Sequence, residues 1–293
     1  MKSAYRWIST AALCVASFAL KPQAFAAELT LPRDGWTSWE VAAVDEAPDL
    51  CCFGNGKTYR DLPRTACRLD GKTQSWGTRD DATTDRVRFY ARTAGGKIDR
   101  FRVLSAACPA QAATDIRDLG SVDENDSARW LAGLVKQEDD VVIALAMNRG
   151  NVARDALAGI ARNDSRTETR KEAVFWLAQV RGQEGADITS SLMFNDKDPE
   201  VREHAAFSLS QSRSPRAEAD LVRLVTTDKD EDVREGAVFA LSQLPDERAA
   251  RALIAAAENR ALERELRKKA VFWLSQSESA EAQKYLERVL TSN

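Results

Sequence analysis

The sequence predicts a mainly α protein, an α-solenoid of helix pairs preceded by a small disulfide-bonded β-rich domain. Three observations carry this. A ten-residue phrase recurs as Arg170–Gln179, Arg202–Gln211, Arg234–Gln243 and Arg267–Gln276, at steps of 32, 32 and 33 residues. The helical period is absent ahead of the repeats, from Glu28 to about Gln111. Four cysteines, Cys51, Cys52, Cys67 and Cys108, fall in that stretch, and none in the 185 residues after it. A fixed period of this size marks units that bury their apolar faces only by stacking on neighbours.

Residues 1–26 are expected to be a cleaved export signal. Lys2 and Arg6 form a basic start, Ile8–Leu20 is mostly apolar, and Ala24-Phe25-Ala26 places small residues where a signal peptidase reads them. The apolar run is too short for a membrane anchor and is followed directly by Lys21-Pro22. Leu13 before Cys14 argues against a lipoprotein site. The product should begin near Ala27 or Glu28 and lie in a bacterial periplasm or outside the cell, with no membrane insertion after cleavage.

The segment 27–112 reads as the β-rich domain. Val87–Thr93 and Ile98–Leu104 are rich in β-branched and aromatic residues and flank Gly95-Gly96, a hairpin signal. Ser38–Val44 and the segment around Cys67 are expected as further strands, with loops at Gly54–Pro63 and Gly71–Asp85. So small a segment is hard to stabilise by its core alone, which gives disulfides a physical purpose. Each of Cys51 and Cys52 is expected to bond one of Cys67 and Cys108, with both pairings open, and a four-thiolate metal site is the alternative. A linker is expected over 113–122, then helix pairs over 123–293.

Within a repeat, Val201, Ala205, Ser208 and Leu209 share one helical seam, and a partner helix precedes the phrase at Ala217–Val225 or Ala249–Ala257. The acidic turns Asp196–Glu200 and Asp228–Asp232 suit N-caps, and Pro199 suits a first helical turn. Less regular helices are expected at Ser127–Val135, Gln137–Met147 and Val152–Ala161, and a closing helix near Ala280–Leu290. The run Asp198, Val201-Arg202, Ala205, Leu209, and again Asp230, Val233-Arg234, Ala237, Leu241, resembles the HEAT repeat, most closely the short form named for phycobilisome lyases. The resemblance covers about Asp123 to Asn293. It implies stacked helix pairs and a binding role, and says little about which partner.

Several chemistries are disfavoured. Without Lys2, Arg6 and Lys21 the chain would carry 39 basic and 45 acidic side chains, a net charge of −6, with both signs dispersed. Nucleic acid is therefore not an expected partner. His204 is the one histidine. The HEAT-like enzyme deoxyhypusine hydroxylase holds two irons with several His-Glu pairs. Here the order is Glu203-His204, and the equivalent positions are Glu172, Gly236 and Lys269. Asp228, Asp230 and Asp232 alternate as in an EF-hand, but its glycine and glutamate positions hold Val233 and Phe239. A bilin lyase would act in the cytoplasm. No catalytic residue, metal or cofactor is expected.

A binding surface is expected instead, contacting a protein or peptide of the cell envelope. Phe175, Phe207, Phe239 and Phe272 occupy one phrase position, joined by Trp176 and Trp273. The expectation is that the phenylalanines pack between units while the tryptophans stay partly open. The candidate surface comprises Trp176, Gln179, Glu203, Phe207 and Gln211 in the first two phrases. Glu235, Phe239, Gln243, Trp273 and Gln276 continue it. The alternatives are an enzyme or enzyme subunit, or a thiol- or metal-handling role for the cysteines.

Overall fold

A computed structural model of the chain describes residues 29–45, 47–53, 64–71, 76–136, 138 and 140–291. The expected signal segment at 1–26 and the loop at Gly54–Pro63 lie outside them. The β region comprises β1 (Gly35–Ala42), β2 (Pro48–Phe53), β3 (Arg64–Thr65), β4 (Cys67–Arg68), β5 (Trp76–Thr83), β6 (Arg86–Ala94), β7 (Lys97–Ser105), β8 (Ala110–Gln111) and β9 (Ile116–Ser121). Eleven helices follow among the described residues: α1 (Glu124–Ala132), α2 (Val141–Met147), α3 (Asn151–Asn163), α4 (Thr167–Val180), α5 (Gly182–Asn195) and α6 (Pro199–Ser210). The last five are α7 (Ala217–Thr227), α8 (Glu231–Ser242), α9 (Asp246–Glu258), α10 (Arg264–Ser275) and α11 (Ala280–Thr291).

The principal sheet has the order β7-β6-β1-β9. Its β6–β7 hairpin turns at Gly95 and Gly96, whose φ angles of 61° and 80° are open to glycine at little steric cost. Trp39 of β1 is fully buried, edge-on to Phe89 at 5.4 Å, Phe101 at 6.0 Å and Trp130 of α1 at 5.1 Å. Its indole N–H donates to Ser127 Oγ at 3.0 Å. The sheet and the first helix thus share one core.

Two stretches differ from expectation. Residues 113–122, expected as a linker, hold β9, which pairs in parallel with β1. Gly71–Asp85, expected as a loop, holds β5, paired antiparallel with β2. β9, IRDLGS, has Ile116 as its one β-branched or aromatic residue, and in β5, WGTRDDAT, Trp76, Thr78 and Thr83 are offset by Gly77, Asp80 and Asp81, so backbone pairing to a neighbour makes both of them strands.

The cysteines form two disulfides, Cys51–Cys108 and Cys52–Cys67, with Cα separations of 5.6 and 5.2 Å. This selects one of the two open pairings and commits all four sulfurs to each other, in place of the four-thiolate alternative. Both bonds anchor β2, and the parallel pairing of Cys67 in β4 with Ala110 in β8 brings the remaining two partners alongside.

In the helical part, each phrase is the second helix of a pair: α3 packs on α4, α5 on α6, α7 on α8, and α9 on α10. The phrase helices also pack on each other in sequence, α4 on α6, α6 on α8 and α8 on α10. The seam residues Val201, Ala205, Ser208 and Leu209 are buried as expected. Asp198 and Asp230 cap α6 and α8 by accepting from backbone N–H groups of the first turn.

Candidate binding surface

The first phrase residue, an arginine, joins one unit to the next. Arg202 is 3 % exposed and donates from Nε and Nη2 to the two carboxylate oxygens of Asp228, at 2.8 and 3.0 Å. Its Nη1 bonds the Asp196 carbonyl at 3.0 Å. Arg170 and Arg234 also reach the next unit, but through single Nη2 contacts to the helix N-cap carboxylates Asp198 and Glu263, each at 2.9 Å. The alternating aspartates are thereby explained: Asp228 holds an arginine and Asp230 caps a helix. The period shared by arginine and acidic turn was the sequence signal for this clamp, and it was missed.

The remaining phrase positions build an open face. On α6, Glu203 and Phe207 lie four residues apart on one side of the helix, and Glu235 and Phe239 do the same on α8. Phe175, Phe207 and Phe239 are half-buried rather than enclosed between units, and Phe272 is 52 % exposed. The rings instead meet one another across the row. Phe207 stacks on Phe239 at 6.0 Å with planes 3° apart, and Phe239 meets Trp273 at 5.0 Å. The phenylalanines thus do meet between units, as Phe207 and Phe239 show, but without being enclosed there, and Phe272 is open. Alanine and valine at the seam already fill the contact between helices, leaving the sixth phrase position on the surface.

Apart from Phe207, the predicted site residues divide into three places. Glu203, Glu235, Phe239 and Trp273 line a hollow of about 720 Å³ with Asp232, Gly236 and Lys269. Trp176, Gln179 and Gln211 line a cleft of about 850 Å³ with Arg149, Arg154 and Arg181. Gln243 and Gln276 flank a smaller cavity with Trp273. Gln211, Gln243 and Gln276 are C-cap residues, so they sit at the helix ends, away from the carboxylates. In the cleft, burial with neighbouring Arg154 lowers the Arg181 guanidinium to about 10. Its Nη2 is used by the Leu145 and Asn148 carbonyls, at 2.6 and 2.7 Å, so it closes the end of α2.

The hollow owes its shape to Gly236. A Cβ there would strike Glu203 Cγ and come within 2.9 Å of its carboxylate oxygen. Glycine inside a helix costs about 1 kcal/mol against alanine, and this one lets the Glu203 side chain lie against α8. Gly236, Asp232 and Lys269 were not singled out for this face in the sequence. The legible signal was the glycine interrupting a phrase position that elsewhere holds Glu172, His204 and Lys269. His204 is half-buried near Phe207, its pKa lowered by burial and by Lys171.

Among the described residues, no group of three or more His, Cys, Asp and Glu side chains is placed to hold a metal ion. No described helix is long and apolar enough to cross a membrane. No curated protein matches the chain. Residues 154–242 and 186–264 match the family model for HEAT repeats. The stretch that supplies most of this face, residues 154–264, is built of HEAT repeats.

Proposed function

We propose that the chain is an exported, non-catalytic scaffold or adaptor, which binds a protein or peptide of the cell envelope on the open face of its phrase helices. The helix pairs form a curved solenoid of the short HEAT type, and the row α4, α6, α8 and α10 is its inner side. The aromatic row carries this reading: Phe207, Phe239 and Trp273 run ring to ring across three helices without being enclosed. Half-open aromatics beside charged groups are the usual anchors of protein interfaces. Export is supported by the two disulfides, which persist in oxidising compartments.

A photo-crosslinking residue placed at Phe272 tests the face, with one at Val222 on α7 as the comparison. Irradiation in intact cells should give a discrete adduct from position 272 and none from 222. Equal labelling from both positions, or none from either, would remove this face as the binding surface.

A further inference from the structure

We propose that the hollow over Gly236 seats a lysine or arginine side chain of the partner segment, with apolar residues beside it resting on the aromatic row. This rests on the phrase helices being a binding face and adds the chemistry of the occupant. The charges around the hollow are unequally paired. Glu235 is neutralised by Lys269 at 2.9 Å and Glu265 by Lys268 at 2.7 Å. Among the described residues, Glu203 and Asp232 have no basic group within ion-pair distance. Burial, and then the Asp232 charge, raise the pKa of Glu203 against the smaller opposing pull of Lys171.

The walls fit the same occupant. Phe239 and Trp273 lie 5.0 Å apart beside the carboxylates and Phe272 is open next to them, offering ring faces that attract a cation. A lysine or arginine has an apolar stem for the rings and a charged head for the acids. A metal ion does not fit, since two unpaired carboxylates fall short of a ligand set, and phosphate-rich nucleic acid would be repelled. The second phrase position reads Lys171, Glu203, Glu235 and Lys268 across the row, so the negative centre has positive ends. That profile selects an isolated basic residue over a wholly basic segment.

The test uses a phage-displayed library of random dodecapeptides, panned on the whole, disulfide-intact protein. Selected peptides should share a Lys or Arg with apolar neighbours. Their binding, read by fluorescence anisotropy, should weaken about tenfold or more with the Glu203→Gln/Asp232→Asn double variant, as expected on losing a charge-assisted contact. Replacing the basic residue of the peptide by Gln should cost the same factor, and combining both changes should cost little more. Glu203→Gln alone serves if Asp232→Asn disturbs α8. Peptides that lose affinity with Phe272→Ala, yet carry no basic residue or ignore the charge variants, would overturn this inference and leave the binding face standing. Failure to enrich any peptide, or binding indifferent to Phe272→Ala, would overturn both.

Discussion

At the scale of single residues, the clamp arginines matter most for stability. Arg202 and Asp228 are both nearly enclosed, at 4 % and 6 % side-chain exposure, so removing one leaves the other charge buried without a partner. Arg202→Ala should cost about 3–5 kcal/mol, read as a lower urea midpoint for loss of the far-UV helical signal. The same pairs set an acid limit. For Asp228 burial acts upward, but hydrogen bonds from Arg202 and the Asp230 backbone outweigh it and its pKa is lowered. Asp198 is also lowered, by the Thr167 hydroxyl first and by Arg170. A carboxylate whose folded pKa is depressed contributes stability that is complete above its unfolded value, about 4. That stability is lost as pH falls through the lowered folded value. Thermal melts stepped downward from neutral pH should show Tm falling below about pH 4, less steeply in Arg202→Met. An equal slope in both proteins would exclude the clamp as its source.

At the scale of elements, α8 combines a stability cost with a shaped surface. Gly236→Ala should raise stability by up to about 1 kcal/mol through helix propensity, provided Glu203 turns to another side-chain conformer, since its Cγ as well as its carboxyl end lies in the way. It should also displace that carboxylate from the hollow. Chemical denaturation and a crystal structure of the variant would check both halves. A loss of stability would mean that Glu203 cannot move aside. Among the strands, β2 depends on its neighbours, tied through Cys51 and Cys52 and paired to both β3 and β5. Its partner β5 was not legible because Gly77, Asp80 and Asp81 offset the strand preference of Trp76, Thr78 and Thr83. The repeat helices were legible to within one to three residues at α7 and α9, since caps and period are local signals, whereas the less regular α1 and α2 start three residues before and four after their expected positions.

At the scale of the molecule, the sheet and helices are coupled through Trp39, which touches β6, β7 and α1 at once. Trp39→Ala should cost about 3–5 kcal/mol, the range for deleting a buried large aromatic. Hydrogen exchange should show α1 losing protection together with the sheet. Protection lost in the sheet alone would mean that the two parts unfold separately. The expected division into a β domain, a linker and repeats missed this coupling, because it runs through β9, through Trp39 and through backbone hydrogen bonds from the end of β1 to Met147 and Arg149.

The sequence by itself determined the period, the helix pairs, their caps and the buried seam, since each follows from residues within a turn or two. It also limited the cysteine pairing to two patterns. Tertiary structure alone decided which pairing forms, that β5 and β9 are strands, and that three of the phenylalanines are half-buried while Phe272 stays open. It also decided that the predicted surface divides into a hollow, a cleft and a row of helix ends. These outcomes depend on groups far apart in the chain. Strand pairing joins distant backbones, and exposure of a ring depends on how much of the helix contact smaller side chains have already filled.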